Sequence, residues 1–273
     1  MRQFFFVIIF LFISSISSCQ EKVNQRSVSL FSQSQWHKAK VAYLGDSITD
    51  KGKVGTKRLY WEYLEDYFQI ESFVFGRNGH TWKDLMGQAE GLKQANISDL
   101  SAIVIFAGTN DYNANIPLGT LFSETTRVTN YNGQEVDRKY RETAYDLKTY
   151  YGRINKVISY LKEHFPKQQI IILTPLHRGY AAFGAKNVQP DERFANGEGF
   201  YIDDYVEALK KVGTYWSIPV IDLFGTSGLY PLSDSHSQYF ANKEQDLLHP
   251  NASGHERMAL TIAYQLLQYP AMF

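Results

Sequence analysis

The sequence predicts an α/β protein built as a three-layer α/β/α sandwich, with a central parallel sheet of about five strands. Short apolar runs of strand length alternate along the chain with longer segments of helical periodicity. Several of these runs are almost continuously apolar, which is typical of strands buried on both faces. The 273 residues are 44% hydrophobic and 21% charged, a composition typical of a globular protein. We therefore expect a single domain over residues 39–273.

The predicted elements follow one another in a regular order. The first strand is the apolar run that begins at Val41 and stops at Gly45, and the helix over 58–68 follows because its apolar residues recur at spacings of three and four. The run 101–107 is a predicted central strand, and the helix over 140–164 stops before Pro166. The remaining predicted elements are strands over 71–75, 169–175 and 218–223, and helices over 81–95, 200–216 and 251–268.

Two stretches of the sequence have neither strand-like nor helix-like apolar patterns. Residues 112–138 carry Asn, Thr and Gly, and residues 176–199 contain several Gly residues and one Pro, without a regular apolar pattern in either. Long irregular segments inside a compact domain are uncommon and often have a functional role. We expect both to be inserted loops near the site.

The N-terminus has the layout of a targeting sequence. Residues 1–18 combine an early arginine, a short apolar run and an exit of small residues, as in a secretory signal peptide. Cys19, the only cysteine in the chain, follows at once, and the tetrapeptide 16–19 resembles the bacterial lipobox. We expect an exported lipoprotein, lipidated on Cys19 and tethered to the periplasmic or outer surface of a membrane by residues 19–38. The alternative is an ordinary signal peptide with an incidental cysteine.

Charge and cysteine content narrow the function. Lys plus Arg and Asp plus Glu both number 28, so no net field attracts nucleic acid or an anionic membrane surface. We therefore expect contact with a membrane only through the lipid anchor, and a neutral or weakly charged substrate. A single cysteine excludes an intramolecular disulfide and a cysteine-based metal site.

Ser47 is the candidate nucleophile. It lies where the first strand breaks into a glycine turn, and the carboxyl ends of parallel strands are where open α/β sheets bind their ligands. A serine hydroxyl needs a base that is oriented by a carboxylate. His249 and Asp246, three residues apart before the last helix, provide that pair. A metal hydrolase that uses Asp246, His249 and His255 is the rival interpretation.

Two further strand ends offer hydrogen-bond donors for an oxyanion. After the second strand, Gly79 can present an unobstructed backbone N–H, and Gly76 is a competitor for the same role. After the third strand, the side-chain amide of Asn110 is a second candidate donor.

These motifs, in this order, resemble those of the SGNH/GDSL hydrolase family over roughly residues 39–268. The resemblance implies the family's flavodoxin-like sandwich and a serine esterase that needs no cofactor. It implies Ser47 as the nucleophile, His249 as the general base and Asp246 as the residue that orients it. It also implies an oxyanion hole formed by the Ser47 backbone N–H, Gly79 and Asn110. Asp46 is structural in this family.

The substrate is inferred less directly. Export, polar insertions and aromatic residues near the site favour hydrolysis of O-acetyl esters on carbohydrate, with Trp82, Tyr112 and Arg178 as substrate contacts. One alternative is a lipase or thioesterase that acts on longer acyl chains. The other is a lipoprotein that binds glycans without catalysis through its aromatic rings, namely Tyr60, Trp61, Trp82 and Tyr112.

Overall fold

A computed structural model describes residues 30–273. Along the chain, the elements are β1 (Lys40–Gly45), α1 (Tyr60–Phe68), β2 (Glu71–Val74), α2 (Leu85–Ala95), β3 (Ala102–Phe106), α3 (Thr109–Asn113), β4 (Phe122–Tyr131), β5 (Gln134–Thr143), α4 (Tyr150–His164), β6 (Gln169–Leu173), β7 (Ala181–Ala182), β8 (Val188–Gln189), α5 (Ile202–Trp216), β9 (Val220–Ile221), α6 (Leu223–Thr226), a 3₁₀ helix (Asp234–Tyr239), β10 (Phe240–Asn242), β11 (Asp246–Pro250) and α7 (Ala252–Leu266).

The central sheet has five parallel strands in the order β2-β1-β3-β6-β9. Successive residues of β1 face opposite layers, so that Val41 and Tyr43 belong to one core and Ala42 and Leu44 to the other. The first core is closed by α1 and α7, and the second by α2, α4 and α5. Because both faces are covered, the strands are apolar at nearly every position, and the predicted sandwich with about five strands is confirmed.

The folded domain begins before β1, nearer to the N-terminus than predicted. Phe31 and Trp36 are fully buried, and the Trp36 indole N–H donates to the Leu266 carbonyl at 2.6 Å. Residues 30–38 therefore pack on α7 and are not part of a free tether. The predicted signal peptide and Cys19 lie outside the described residues. No helix within residues 30–273 combines the length and apolar character needed to cross a membrane.

The first insertion is a β-hairpin, and the prediction of an irregular loop was wrong. β4 and β5 pair along their whole length from Phe122↔Thr143 to Tyr131↔Gln134, and the helix predicted from residue 140 begins at Tyr150. Most of the hairpin's residues are exposed, so no apolar period marks the strands. The missed signal is the dipeptide 132–133, an Asn-Gly turn with φ of 53° and 81°.

The second insertion is irregular for most of its length, as predicted, but it contains the small hairpin of β7 and β8. This hairpin joins β10 and β11 in a four-stranded sheet of order β10-β11-β7-β8. The pairing Asp246↔Ala181 places the insertion beside the segment that carries the candidate base.

Candidate active site

Ser47 lies in a tight turn at the carboxyl end of β1. The Asp46 carbonyl accepts the backbone N–H groups of Thr49 and Asp50, each at 3.0 Å, and the Asp46 carboxylate accepts the Ile48 N–H at 3.0 Å. These bonds turn the chain sharply at the strand end. The Ser47 side chain is thereby held at the edge of the sheet, with only 4% of the residue exposed.

The structure brings Ser47, His249 and Asp246 into one hydrogen-bonded line. The His249 Nε2 atom is 2.9 Å from the Ser47 Oγ, and its Nδ1 atom is 2.9 Å from the nearer Asp246 oxygen. A carboxylate beside Nδ1 favours the proton there. The Nε2 lone pair is therefore left to accept the Ser47 hydroxyl proton.

Asp246 is held by the backbone that it shares with His249. Its Oδ1 accepts the backbone N–H of Leu248 at 3.1 Å and that of His249 at 3.0 Å. Asn251 then caps α7 by accepting the N–H groups of Ser253 and Gly254 at 3.0 and 3.2 Å. With the three-residue spacing, these bonds between the Asp246 side chain and the backbone of β11 hold the carboxylate against the imidazole.

Gly55 contacts this pair and was not identified from the sequence. A methyl group at Gly55 would lie 2.9 Å from the His249 Cβ and 2.7 Å from the Ala241 Cβ, and φ is +71°. Only glycine combines that backbone with so close an approach. The local signal was weak, because Gly52 and Gly55 follow the serine motif like ordinary turn glycines.

The candidate oxyanion donors converge on Ser47. Gly79 lines the same cavity as Ser47 and Asn110, has φ of +78°, and leaves open space where a Cβ would stand. A Cβ at Gly76 would instead lie 2.7 Å from the Thr49 side chain, so Gly76 is a packing position. Among the described residues, the backbone N–H groups of Ser47 and Gly79 donate to no acceptor.

Gln88, another residue that the sequence did not reveal, fixes the strand end to the oxyanion loop. Its Oε1 accepts the Gly45 N–H and its Nε2 donates to the Gly45 carbonyl, both at 2.8 Å. The same Nε2 donates to the His80 Nδ1 at 2.9 Å, and the His80 carbonyl accepts the Asn110 amide at 2.9 Å. One buried glutamine therefore positions two of the loops around Ser47.

Two buried carboxylates support the same loops. Asp111 is fully buried, pairs with the Arg153 guanidinium at 2.9 Å and accepts the Trp82 backbone N–H at 3.0 Å. Within the described part of the chain, Asp46 forms no ion pair with a cationic side chain, and its Oδ2 has no hydrogen-bond partner. Burial raises the pKa of the Asp46 carboxyl to about 7.

A cavity of about 220 Å³ opens beside Ser47. Its apolar walls are Val54, Phe183 and Leu248. The remaining lining residues are polar or glycine, and they are Ser47, Asn78, Gly79, Asn110, Asn187, Gln189 and His249. The cavity therefore combines a small volume with many hydrogen-bonding groups, unlike a deep apolar tunnel.

The three predicted substrate contacts are corrected by their burial. Trp82, Tyr112 and Arg178 are exposed by only 0%, 3% and 1%. Trp82 packs in the core beneath α2, and the Tyr112 hydroxyl donates to the Phe194 carbonyl at 2.6 Å. The Arg178 guanidinium is committed to Gln189 and to the Thr109 hydroxyl. All three side chains are buried, so none of them is placed to contact a substrate directly.

The residues on which the two rival interpretations depend are buried as well. Tyr60 and Trp61 are also buried, so none of the four rings proposed for glycan binding offers a face to solvent. His255 is fully buried, and its Nδ1 accepts the Tyr60 backbone N–H at 3.1 Å. Burial lowers the pKa of His255 to about 3. Within residues 30–273, no three His, Cys, Asp or Glu side chains are grouped so that they could hold a metal ion.

Comparison with known proteins identifies a family and a fold that this sequence shares. The model of the GDSL-like Lipase/Acylhydrolase family matches residues 43–257. A protein from Lactobacillus plantarum is 24% identical with a TM-score of 0.67, and the match covers 85% of this chain and 98% of that one. No curated protein matches the sequence.

Two further solved structures share the fold. A lipase/acylhydrolase from Enterococcus faecalis is 18% identical with a TM-score of 0.51, over 85% of this chain and 98% of its own. An acetyl xylan esterase is 20% identical with a TM-score of 0.52, over 83% of this chain and 99% of its own.

Proposed function

The chain belongs to the GDSL-like lipase/acylhydrolase family of carboxylic ester hydrolases, and we propose that Ser47, His249 and Asp246 are its catalytic triad. The observation that carries this proposal is the continuous line of hydrogen bonds from the Ser47 Oγ through His249 to Asp246. All three residues are at most 9% exposed, so the line is largely shielded from water.

The proposed reaction proceeds through an acyl-enzyme. As the Ser47 Oγ forms a bond to the acyl carbon, its proton passes to the His249 Nε2. The negative charge that develops on the carbonyl oxygen accepts hydrogen bonds from the Ser47 N–H, the Gly79 N–H and the Asn110 amide. One good donor of this kind lowers the barrier by about 3 to 4 kcal/mol.

Collapse of the tetrahedral intermediate breaks the ester C–O bond. The His249 imidazolium gives its proton to the departing alcohol oxygen. Water, deprotonated by the same Nε2, then attacks the acyl carbon, and the acid leaves as the proton returns to Ser47. Asp246 stays ionised and stabilises the imidazolium, and no cofactor takes part in these steps.

For the substrate, we propose short O-acyl groups, above all acetyl, carried on a carbohydrate. The supporting observation is the cavity of about 220 Å³, whose walls are mostly polar or glycine. A long acyl chain would need a longer apolar wall than three side chains provide. The fold is also that of an acetyl xylan esterase, which is consistent with acetyl ester hydrolysis on this scaffold.

The test is the hydrolysis of p-nitrophenyl esters from acetyl to octanoyl. We expect the acetate to be the best substrate and Ser47→Ala to lower kcat/KM by about 10³-fold or more. Ser123→Ala, on the exposed face of β4, is the matched control. Activity that survives Ser47→Ala, or that only a chelator abolishes, would contradict the triad. A steep rise toward octanoyl would replace the deacetylase by a lipase or thioesterase.

We also propose that the chain is exported and anchored by a lipid on Cys19. The support is the lipobox-like tetrapeptide 16–19, which lies outside the described residues. Wild-type protein made in a bacterial host should incorporate radiolabelled palmitate. Cys19→Ser should abolish both this labelling and the recovery of the protein in the membrane fraction. Unlabelled wild-type protein in the soluble periplasm would indicate an ordinary signal peptide.

A further inference from the structure

We propose that the side-chain amide of Asn187 donates to an acceptor oxygen on the alcohol part of the ester, and that Gln189 and Arg178 are the positioning residues that orient this amide. This inference rests on the proposed esterase function and concerns the same site. It names the feature of the substrate that the enzyme recognises beyond the scissile ester.

The orientation of the two amides follows from the donor inventory of arginine. A guanidinium has only donors, so the Gln189 atom that lies 2.6 Å from the Arg178 Nη2 is the amide oxygen. The Gln189 Nε2 must then face the other way, and it donates to the Asn187 Oδ1 at 3.0 Å. The Asn187 Nδ2 is left as a donor with no partner among residues 30–273.

Arg178 fixes the orientation of these two side-chain amides because it is buried and charged. It is 1% exposed, and no carboxylate in the described part of the chain lies within 4.0 Å of its guanidinium. Burial lowers its pKa to about 10, so the side chain keeps its proton at neutral pH. A buried cation with no ion-pair partner depends on neutral acceptors, here the Gln189 oxygen and the Thr109 hydroxyl at 3.3 Å.

The amides lie on the side from which the alcohol leaves. Asn187 and Gln189 line the cavity beside Ser47, in the hairpin of β7 and β8 that pairs with Asp246 through Ala181. Phe183, in the same hairpin, places its ring edge-on to His249 with centroids 5.4 Å apart. Because His249 hands its proton to the departing alcohol and Phe183 packs against His249, the proposal places the alcohol part of the ester against this hairpin.

Arg178 also links this wall to the oxyanion hole. The Thr109 hydroxyl accepts from the Arg178 Nη1, and Thr109 is the first residue of α3 and directly precedes Asn110. One guanidinium therefore orients the cavity wall formed by Asn187 and Gln189 and also contacts the start of α3, which carries the proposed oxyanion donor Asn110. Lysine could not replace it, because a single ammonium group lacks the planar fork that reaches both acceptors at once.

The predicted ligand chemistry is an oxygen acceptor close to the ester oxygen. Alcohols with a neighbouring hydroxyl or ether oxygen have this feature, and they include both sugars and glycerol. The Asn187 amide is exposed, so an aliphatic alcohol that covered it would displace its water without replacing the hydrogen bond.

The first experiment compares butyl acetate with 2-methoxyethyl acetate, which has the same number of heavy atoms and adds one acceptor oxygen. We expect wild type to favour the methoxyethyl ester by about 10-fold in kcat/KM, the effect of one hydrogen bond of about 1.4 kcal/mol. Asn187→Leu and Arg178→Met should both bring this ratio near one. Lys186→Ala, an exposed neighbour that does not line the cavity, should leave it unchanged.

The second experiment reverses the polarity of the wall. In Gln189→Glu, a carboxylate still accepts from Arg178 but must also accept from the Asn187 Nδ2, which turns the Asn187 oxygen toward the substrate. The preference for methoxyethyl over butyl acetate should disappear. 2-Hydroxyethyl acetate, whose hydroxyl can donate, should gain about 10-fold relative to the methoxyethyl ester. A merely structural role for Gln189 would lower all three rates together.

Each outcome bears on one proposal only. A wild-type ratio near one, with hydrolysis still dependent on Ser47, would overturn the alcohol-side site and leave the esterase intact. Hydrolysis that does not need Ser47 would overturn the esterase mechanism itself. Monoacetylated methyl glycosides and monoacetylglycerol then distinguish the source of the acceptor oxygen, because both carry it but only the glycoside has a ring.

Discussion

The two insertions are similar in sequence and opposite in role. Residues 112–138 and 176–199 both lack apolar periodicity, and both were expected to lie near the site. The first contributes most of the β4–β5 hairpin, whose strands are exposed and, within residues 30–273, pair only with each other. The second closes over Ser47 and contributes Phe183, Asn187 and Gln189 to the cavity.

The difference lies in the range of their contacts. The β4–β5 hairpin is joined by pairs that are close in sequence, and Asn155 fixes its base by donating to the carbonyls of Leu121 and Ala144. In the second insertion, the N–H groups of Gly179 and Ala182 donate to carbonyls of the segment 245–247 at 2.9 and 2.8 Å. A change near the site should therefore alter catalysis, whereas a matched change in the β4–β5 hairpin should not.

Among changes that leave Ser47 in place, the largest expected effect is that of Asp246→Asn. The amide cannot hold the Nδ1 proton as a carboxylate does, so the imidazole loses the tautomer that leaves Nε2 free. We expect kcat to fall by about 10⁴-fold while the thermal midpoint changes little. Asp137→Asn, an exposed carboxylate of β5, should keep full activity. Equal activity of the two variants would show that Asp246 does not orient His249.

Gly55→Ala should have the next largest effect. Its methyl group would displace His249, whose Cβ would lie 2.9 Å away, in addition to the strain at φ of +71°. We expect kcat/KM to fall by about 10- to 100-fold. Gly133→Ala is the matched control, since Gly133 has φ of +81° and meets nothing within 4 Å. That variant should lose about 1 kcal/mol of stability and no activity.

The pH dependence of stability tests the buried Asp46. Burial raises its pKa from 3.8 to about 7, so between these values the folded state binds more protons than the unfolded state. Its contribution to stability is thus greatest at low pH and is lost as the pH rises toward 7, by up to about 1.4 kcal/mol per pH unit. Urea unfolding at several pH values should show a flatter profile for Asp46→Asn. An unchanged profile would mean that Asp46 is ionised when folded.

The smallest effect is expected from shortening the β4–β5 hairpin. Because Ser123 pairs with Glu142, residues 124–141 can be replaced by a two-residue Asn-Gly turn without moving the base. We expect kcat/KM on acetylated oligosaccharide to stay within about twofold and the free energy of unfolding to change by less than about 1 kcal/mol. A selective rise in KM for the oligosaccharide would instead make the hairpin part of the substrate site.

Several features of the site were accessible from the sequence because they depend on short segments. A serine after a strand that ends at Gly45, and an Asp246 and His249 three residues apart before a helix, are local patterns. Gln88, Gly55 and the inward direction of Arg178 were not accessible. Gln88 and Gly55 contact Gly45 and His249, which lie at least 40 residues away along the chain. The direction of the Arg178 side chain depends on a hydrogen bond to Thr109 that forms only in the packed core.

The sequence by itself determined the alternation of strands and helices, and with it the sandwich and the strand ends at which Ser47 and Asn110 lie. The physical reason is that strands buried on both faces of a parallel sheet need nearly continuous apolar runs, and such runs can be recognised in a single sequence. Only the tertiary structure decided which polar side chains face the cavity. Trp82, Tyr112 and Arg178 lie near the site along the chain, but packing turned them into the core and left Asn187 and Gln189 to face the substrate.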